Sequence, residues 1–391
     1  ISAFQTLPRY GQQLYYYEGE WVNAIGQGFV SAWTGPNGRI RIFEGLGSPT
    51  LRWETTTQTN LGMDMAMLDN RIRMTVDVYH KRTDNLLRDG YLPPSSAFDR
   101  KKINGGTVLN RGFEVTLSGD ITNRSALKVS ATAILSVNRN KLVSLGDIES
   151  VGFNVDPKDN MQYQFWGSVP SGFRETGLNI LAIGQPVNIF YGFKTDGIIQ
   201  TLAEGIEAGL TGDLAKAGEI KYVDLDNSGV VDDGDKTVIG NPNPDFLASL
   251  SFNFAWKNFE AELFFNGSFG NDIINTQKFG TPSTNPLRWT QDNPSNKYPS
   301  LRESRYEYRF SDFWVEDGSY LKLQNVNLSY NLNFKTRKYV IKGAKVTLNA
   351  TNLFTISKFS GYDPQKTGLD GIYWGGLPGY RLITLGLNLK F

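Results

Sequence analysis

The chain has 391 residues, with 40 basic against 39 acidic side chains, one histidine and no cysteine. That balance removes any electrostatic case for nucleic acid, the absent thiols remove disulfides and thiolate metal sites, and a lone His80 removes the usual general base and zinc-ligand sets. No apolar run approaches the ~18 residues of a membrane-spanning helix. Gly 41, Phe 24, Tyr 18 and Trp 8, with a mean hydropathy of −0.34, point to many turns and to β structure.

The chain opens at Ile1 with neither Met nor a signal peptide, which reads as a processed form or a fragment. Period-2 alternation then recurs in segments of about ten residues, the length that crosses a bilayer as a tilted strand. Leu61, Met63, Met65 and Met67 share one face; after a turn at Asp69-Asn70, Ile72, Met74, Val76 and Val78 oppose Arg73, Thr75, Asp77, Tyr79 and Lys81. Phe113, Val115 and Leu117 alternate with Glu114, Thr116 and Ser118. Leu127 to Val137 alternates with Lys128, Ser130, Thr132 and Ser136. Phe246–Trp256 and Phe259–Asn266 form a hairpin about Lys257-Asn258 with Glu260 and Glu262 on the wet face. Leu321 and Leu323 give way to Val326, Leu328, Tyr330 and Leu332, a phase slip at Gln324-Asn325 that predicts a β-bulge. Val346, Leu348 and Ala350 alternate with Lys345, Thr347 and Asn349, and Ile383 to Phe391 alternates with Thr384, Gly386, Asn388 and Lys390.

About ten strands result, with short turns alternating with five long loops near 88–107, 145–180, 202–242, 272–312 and 356–379. One face carries Arg73, Asp77, Lys81, Glu114, Lys128, Glu260, Glu262, Lys345 and Lys390, and the other carries no charge. This pattern predicts an all-β, antiparallel transmembrane β-barrel segment with long extracellular loops, short periplasmic turns and a charged lumen. The competing reading is a soluble β-sandwich, which seldom tolerates five such loops. The ending Thr384-x-Gly386-x-x-Leu389-x-Phe391 fits the pattern that barrel-assembly machinery is thought to read, so Gly386, Leu389 and Phe391 are candidates for an assembly signal.

Five blocks carry a resemblance. They are Leu51–Gly62 running into Leu68–Ile72, Gly184-Gln-Pro with Tyr191–Ile198, Asp224–Phe246, Phe313–Leu323 and Asn349–Phe354. In this order they resemble the C-terminal barrel of SusC/RagA-like TonB-dependent outer-membrane transporters of Bacteroidetes. The resemblance implies a multi-pass barrel of the outer membrane, not an enzyme, importing an oligosaccharide or a peptide. It further implies a SusD-like surface lipoprotein as lid, TonB acting through an N-terminal part, and contact with lipid and lipopolysaccharide. No TonB box or plug precedes Ile1, so residues 1–391 are expected to be the C-terminal part of one barrel domain, about half of 22 strands, with the rest of the barrel and the plug elsewhere. The alternative function is a non-transporting, aromatic-rich β module that binds glycans. A glycan hydrolase needs a carboxylate pair that nothing singles out.

The 202–242 loop holds Asp224, Asp226, Ser228, Val230, Asp232 and Asp235 at positions 1, 3, 5, 7, 9 and 12, with Gly229 at position 6. A hard cation wanting six to eight oxygens suits that spacing, so a structural calcium is expected, with a helix over Leu202–Lys216 the one candidate flank. The alternative is an Asp/Asn-rich solvent loop held by its own turns. Among the loop aromatics Trp289, Tyr306, Tyr308, Phe313, Trp314, Tyr362, Tyr373, Trp374 and Tyr380, four are the substrate-facing candidates: Tyr373, Trp374, Tyr362 and Trp314. The glycines of Gly371–Gly379 would bring backbone close to a ligand. His80 continues an outward phase and is expected at the membrane interface. Arg302, Arg305 and Arg309 with Glu303 and Glu307 read as a solvated charged loop.

Overall fold

The computed structural model describes residues 14–17, 20–23, 51–91, 100–123, 126–146, 153–167, 169–170, 173–175, 177–279, 286–301, 308–334 and 341–391. Nine long strands form one sheet: β1 (Thr55–Met67), β2 (Ile72–Asp84), β3 (Thr107–Asn123), β4 (Leu127–Ser144), β5 (Phe246–Trp256), β6 (Phe259–Phe269), β7 (Tyr320–Asn333), β8 (Gly343–Ser357) and β9 (Leu382–Lys390). Each strand pairs antiparallel with its neighbours in sequence, so the sheet is a meander from β1 to β9 that curls as part of a barrel wall. The alternating segments read from the sequence fall on it one strand each, nine where about ten were expected.

Local chemistry sets the tight turns. Leu68, Asp69 and Asn70 take positive φ values of 52°, 55° and 63° between β1 and β2, and Lys257 (φ 54°) turns β5 into β6. The long connections β2–β3, β4–β5, β6–β7 and β8–β9 all lie at the opposite end. The expected loops 145–180 and 202–242 are therefore one excursion, residues 145–245, and five long loops become four.

Register makes the two faces continuous. One row runs Met67, Ile72, Gly119, Ala131, Phe252, Leu263, Val326, Ala350, Ile383 across all nine strands without a polar residue. A row of the other face runs Asp120, Ser130, Asn253, Glu262, Asn327, Asn349, Thr384 without an apolar one. The register passes from Phe264↔Asn325 to Phe265↔Leu323, which leaves Gln324 as the expected bulge and keeps Leu321 and Leu323 in phase with Val326. Aromatics rim the apolar band: Phe246 and Phe269 stack at 4.7 Å on the loop side, and Trp256, Phe259 and Tyr330 share a row on the turn side. The 11 residues of β5 between the rims span roughly 33 Å, or about 25 Å of height at a ~40° tilt, the thickness of the apolar belt of such barrels.

The apolar face is not a dry interior. Leu61, Leu385 and Leu387 are 75%, 74% and 66% exposed, and Phe252, Leu263 and Val76 are only half-buried. That face does carry charge in one place: Arg82, Arg111, Arg139 and Lys141 lie on its phase near the loop end of β2–β4, which corrects the expectation of none. The alternation, read on β2 as far as Lys81, on β3 from Phe113 and on β4 as far as Asn138, stops just short of these residues.

The dry core sits in the loops. Phe190, Phe193, Ile199, Phe310, Trp314 and Ile372 are all at 0% exposure, contributed by the connections β4–β5, β6–β7 and β8–β9. Short sheets knit this cap together. The strands Gln162–Trp166, Asn179–Ala182, Ile189–Gly192 and Thr237–Gly240 pair antiparallel, and Asp272–Asn275 pairs with both Val315–Asp317 and Ile372–Tyr373. Asn179 Nδ2, fully buried, donates to Asn188 O and to Asp370 O, both at 2.8 Å, tying one connection to another.

Candidate functional site

The polar face of the sheet is the first element of the site. Parity places all nine of Arg73, Asp77, Lys81, Glu114, Lys128, Glu260, Glu262, Lys345 and Lys390 on it, but they do not gather at one point. Glu260 is the hub near the turns: Lys345 Nζ donates to Oε2 at 2.7 Å and Asn331 Nδ2 to Oε1 at 3.0 Å. Lys128, Glu262, Asn253 and Asp120 join them around a hollow of about 480 Å³. Nearer the loops, Asp77 and Glu114 stand opposite one another, each receiving an amide or hydroxyl proton, from Asn60 and Ser136, at 3.3 Å. Such a surface can hold water and polar solutes by exchangeable hydrogen bonds, and among the described residues no nucleophile and base are paired on it.

The cap is the second element. Its acidic loop closes on Asp235, which is buried: the amides of Leu225 (2.7 Å) and Asp226 (3.2 Å) donate to Oδ1, and that of Asp232 (2.8 Å) to Oδ2. Asp224 accepts the amides of Ser228 (3.1 Å) and Gly229 (2.7 Å), and Asp226 also accepts from Ser228 at 2.9 Å. Oxygens of Asp224, Asp226 and Asp235 thus lie within 4.8 Å of one another, and Gly229 supplies the turn at φ +85°. Ser228 and Val230 bond to each other, hydroxyl to carbonyl, at 3.0 Å, while Asp232 caps a 3-10 turn over Asp233–Asp235 in which Asp235 reciprocates. The flank differs from expectation. The helix spans Leu202–Glu207 only, because Gly209 (φ +77°) and Gly212 (φ +59°) end it before a 3-10 turn at Gly212–Ala215.

Aromatic side chains divide sharply. Trp314 and Tyr373 are 0% and 1% exposed; Trp314 packs edge-on to Phe173, Tyr308 and Phe313, and Tyr373 to Phe359. Neither can face a substrate, which corrects both assignments, while Tyr362 (69%) and Trp374 (52%) do present rings to solvent. Tyr380 is exposed as well, Tyr308 is buried, and Trp289 donates Nε1–H to Gln200 at 2.9 Å. Gly371 serves packing rather than a ligand, since a Cβ there would meet Pro242 at 2.5 Å and Phe190 at 2.8 Å. Arg309 is also corrected: it donates to Val231 O at 3.1 Å and lies 4.9 Å over the Phe193 ring. Arg302, Glu303, Arg305, Tyr306 and Glu307 fall outside the described residues.

The profile of the family described as "TonB dependent receptor-like, beta-barrel" matches residues 4–179. TonB-dependent receptor P3 of Formosa agariphila is 31% identical over 371 residues, 90% of this chain and 35% of the relative. TonB-dependent receptor SusC of Bacteroides thetaiotaomicron is 26% identical over 353 residues, 87% of this chain and 32% of the relative. The structure of the RagAB peptide transporter has the same fold at a TM-score of 0.71 and 24% identity, covering 100% of this chain and 38% of that one. The chain belongs to the SusC/RagA-type TonB-dependent receptors.

Members of this family are outer-membrane receptors and transporters, not enzymes. The chain spans about a third of the length of the curated relatives it matches, 35% of each of the first two. In this receptor two ionic clusters hold the cap together that sequence reading missed, because their members are far apart in the chain. Tyr191 donates to Asp156 at 2.7 Å, and Lys158, beside Asp156 at 3.2 Å, donates to Gly234 O at 2.5 Å and Lys236 O at 2.6 Å, buttressing the acidic loop. Burial, then the bond to Asp156, pushes the Tyr191 phenol far above its usual range.

The second cluster is Glu316 with Lys278 at 2.9 Å, joined by Ser360 N–H (2.7 Å) and Oγ–H (2.8 Å). Burial works against the Glu316 charge, but Lys278 and Ser360 outweigh it and hold the carboxyl below its usual range. A depressed carboxyl stabilises the fold above the unfolded value of about 4.3 and loses that contribution as pH falls through the lower folded value. The expected result is a cap that loosens only below about pH 4. In Lys278→Met the carboxylate is left without its cation at a cost of about 3 kcal/mol, so the cap is looser already at neutral pH and loses less on acidification, because protonation of Glu316 then removes an unpaired charge. Hydrogen exchange at residues 272–279 and 313–317 across a pH series reads both; a pH profile unchanged by Lys278→Met would remove the assignment.

Proposed function

We propose that the nine strands cross the outer membrane as part of a 22-stranded barrel, and that the whole protein imports an oligosaccharide or a peptide through it. The observation that carries this is the unbroken apolar row from Met67 to Ile383 backed by the polar row from Asp120 to Thr384. Only a sheet with hydrocarbon on one side and water on the other gains from both. β1 and β9 each have one edge without a partner among the described residues, and in lipid every unpaired backbone group costs several kcal/mol. Pairing with the remainder of the barrel satisfies those edges.

Within this reading the Glu260–Lys345 surface lines a wet path, and TonB acts through an N-terminal part of the whole protein. Tyr362 and Trp374 contact substrate. They stand among other exposed apolar residues of the β8–β9 connection, Leu369 (95%), Leu377 (89%) and Tyr380 (78%), a rim suited to a SusD-like lipoprotein lid. Calcium at Asp224, Asp226, Ser228, Val230, Asp232 and Asp235 stiffens the cap; the donor set is all oxygen, as a hard cation requires. Gly386, Leu389 and Phe391 form the assembly signal, with Phe391 67% exposed at the end of the apolar phase.

Deleting the whole protein from cells grown on its inducing substrate is expected to abolish uptake of that substrate; undiminished uptake would overturn the importer reading. Fractionation separates the competing glycan-binding module: a barrel stays in the membrane until detergent releases it, and a soluble module does not.

A further inference from the structure

The outward face of β1–β4 differs from the rest of the apolar belt. At its loop end, one step beyond Phe113 and Val137, a row of Thr59, His80, Arg111 and Arg139 carries charge, and Lys141 follows one step farther out on β4. Arg111 has His80 opposite it on one side and Arg139 on the other, and the two guanidinium groups are like charges that destabilise a sheet unless something neutralises them. Asp245 does so for Arg139 at 2.8 Å, and Asp84 does so for the nearby Arg82 at 3.0 Å. Arg111 and Lys141, both exposed, have no ionic partner among the described residues. They are diagonal neighbours across the β3–β4 pair, about 7–8 Å apart at the backbone, a span that one tetrahedral anion bridges with two long side chains.

Directly below these cations, toward the middle of the belt, an open groove of about 760 Å³ is lined by Leu61, Val76, Val78, Phe113 and Val137, with His80 and Arg111 at its rim. A cationic rim above an apolar trough matches an amphiphile whose head carries phosphate and whose tails are saturated hydrocarbon. Free phosphate has no use for the trough, and a neutral lipid has none for Arg111 and Lys141. We propose that this face is a specific site for a phosphorylated lipid of the outer leaflet, its phosphate bridging Arg111 and Lys141 and an acyl chain lying along Val78 and Phe113. The inference rests on the reading that these strands cross the membrane with the long loops outside.

The test uses the full-length receptor in neutral detergent, with diphosphoryl lipid A, its dephosphorylated form and inorganic phosphate as the three probes, followed by native mass spectrometry. Diphosphoryl lipid A is expected to bind at least about tenfold more tightly than the dephosphorylated form. The double variant Arg111→Gln/Lys141→Gln weakens it by roughly a hundredfold, two charge-assisted contacts being lost. Arg111→Lys/Lys141→Arg, which keeps both charges, retains binding, and Lys297→Gln in an exposed loop changes nothing. Equal binding of the two lipids, an unaffected double variant, or saturation by inorganic phosphate without preference for the lipid overturns the site. A receptor that stays in solution without detergent instead overturns the membrane-crossing reading beneath it.

Discussion

Replacing Phe252 with Arg is expected to abolish the folded receptor in the outer membrane, while Asn253→Arg, one residue along the same strand, leaves it assembled. Phe252 sits between Ala131 and Leu263 in the row that crosses all nine strands near the middle of the belt. A guanidinium there faces hydrocarbon, at a cost of about 2–4 kcal/mol at the midplane. That is a large part of the ~5–15 kcal/mol by which folded proteins exceed their unfolded states. Assembly intermediates have less in reserve than the finished barrel, so the loss appears as missing protein rather than as a lower melting temperature. Asn253 lies on the other face, opposite Glu262 and beside the hollow around Glu260, where an added guanidinium meets water and a carboxylate. Heat-modifiable mobility on gels and protease access on whole cells distinguish the two variants. The reverse ranking, with Asn253→Arg lost and Phe252→Arg assembled, would mean that the sheet packs its apolar face away from lipid.

The sheet was legible in the sequence because each strand states its own orientation: alternation over ten residues needs no knowledge of a partner. The bulge at Gln324 was legible for the same reason, as a slip in phase within one strand. The cap was not. Its core joins Phe193, Phe310 and Ile372, which approach only when three connections fold together, and nothing local marks them as buried. Trp314 and Tyr373 therefore read as ligand-facing aromatics when they are packing residues. The acidic loop was visible because all its oxygens lie within twelve residues, but Lys158, which clamps it through Gly234 O and Lys236 O, comes from some seventy residues earlier. Arg111 and Lys141 were overlooked because their adjacency exists only in the β3–β4 register.

The acidic loop also yields the second large effect. Asp235→Ala is expected to unfold the segment 224–236 locally, whether or not calcium is present. Three backbone amides, those of Leu225, Asp226 and Asp232, lose their acceptor at a buried position. At about 1–3 kcal/mol for each unsatisfied group, the loss is roughly 3–9 kcal/mol, more than a surface loop holds in reserve. Asp235→Asn keeps one carbonyl oxygen for Leu225 and Asp226 and offers an amide to Asp232 N–H, so it falls between. Asp224→Ala/Asp226→Ala behaves differently, because those carboxylates accept amides of the exposed Ser228 and Gly229, which water can serve. In that variant the loop is expected to keep its path and to lose only the cation affinity proposed for it. Amide exchange across 224–236 separates these cases: calcium slows exchange in the native receptor and leaves the double variant unchanged, while Asp235→Ala exchanges fast in either condition. Exchange indifferent to calcium in the native receptor, with no calorimetric heat beyond that of the double variant, would leave Asp235 as a purely structural acceptor and remove the ion.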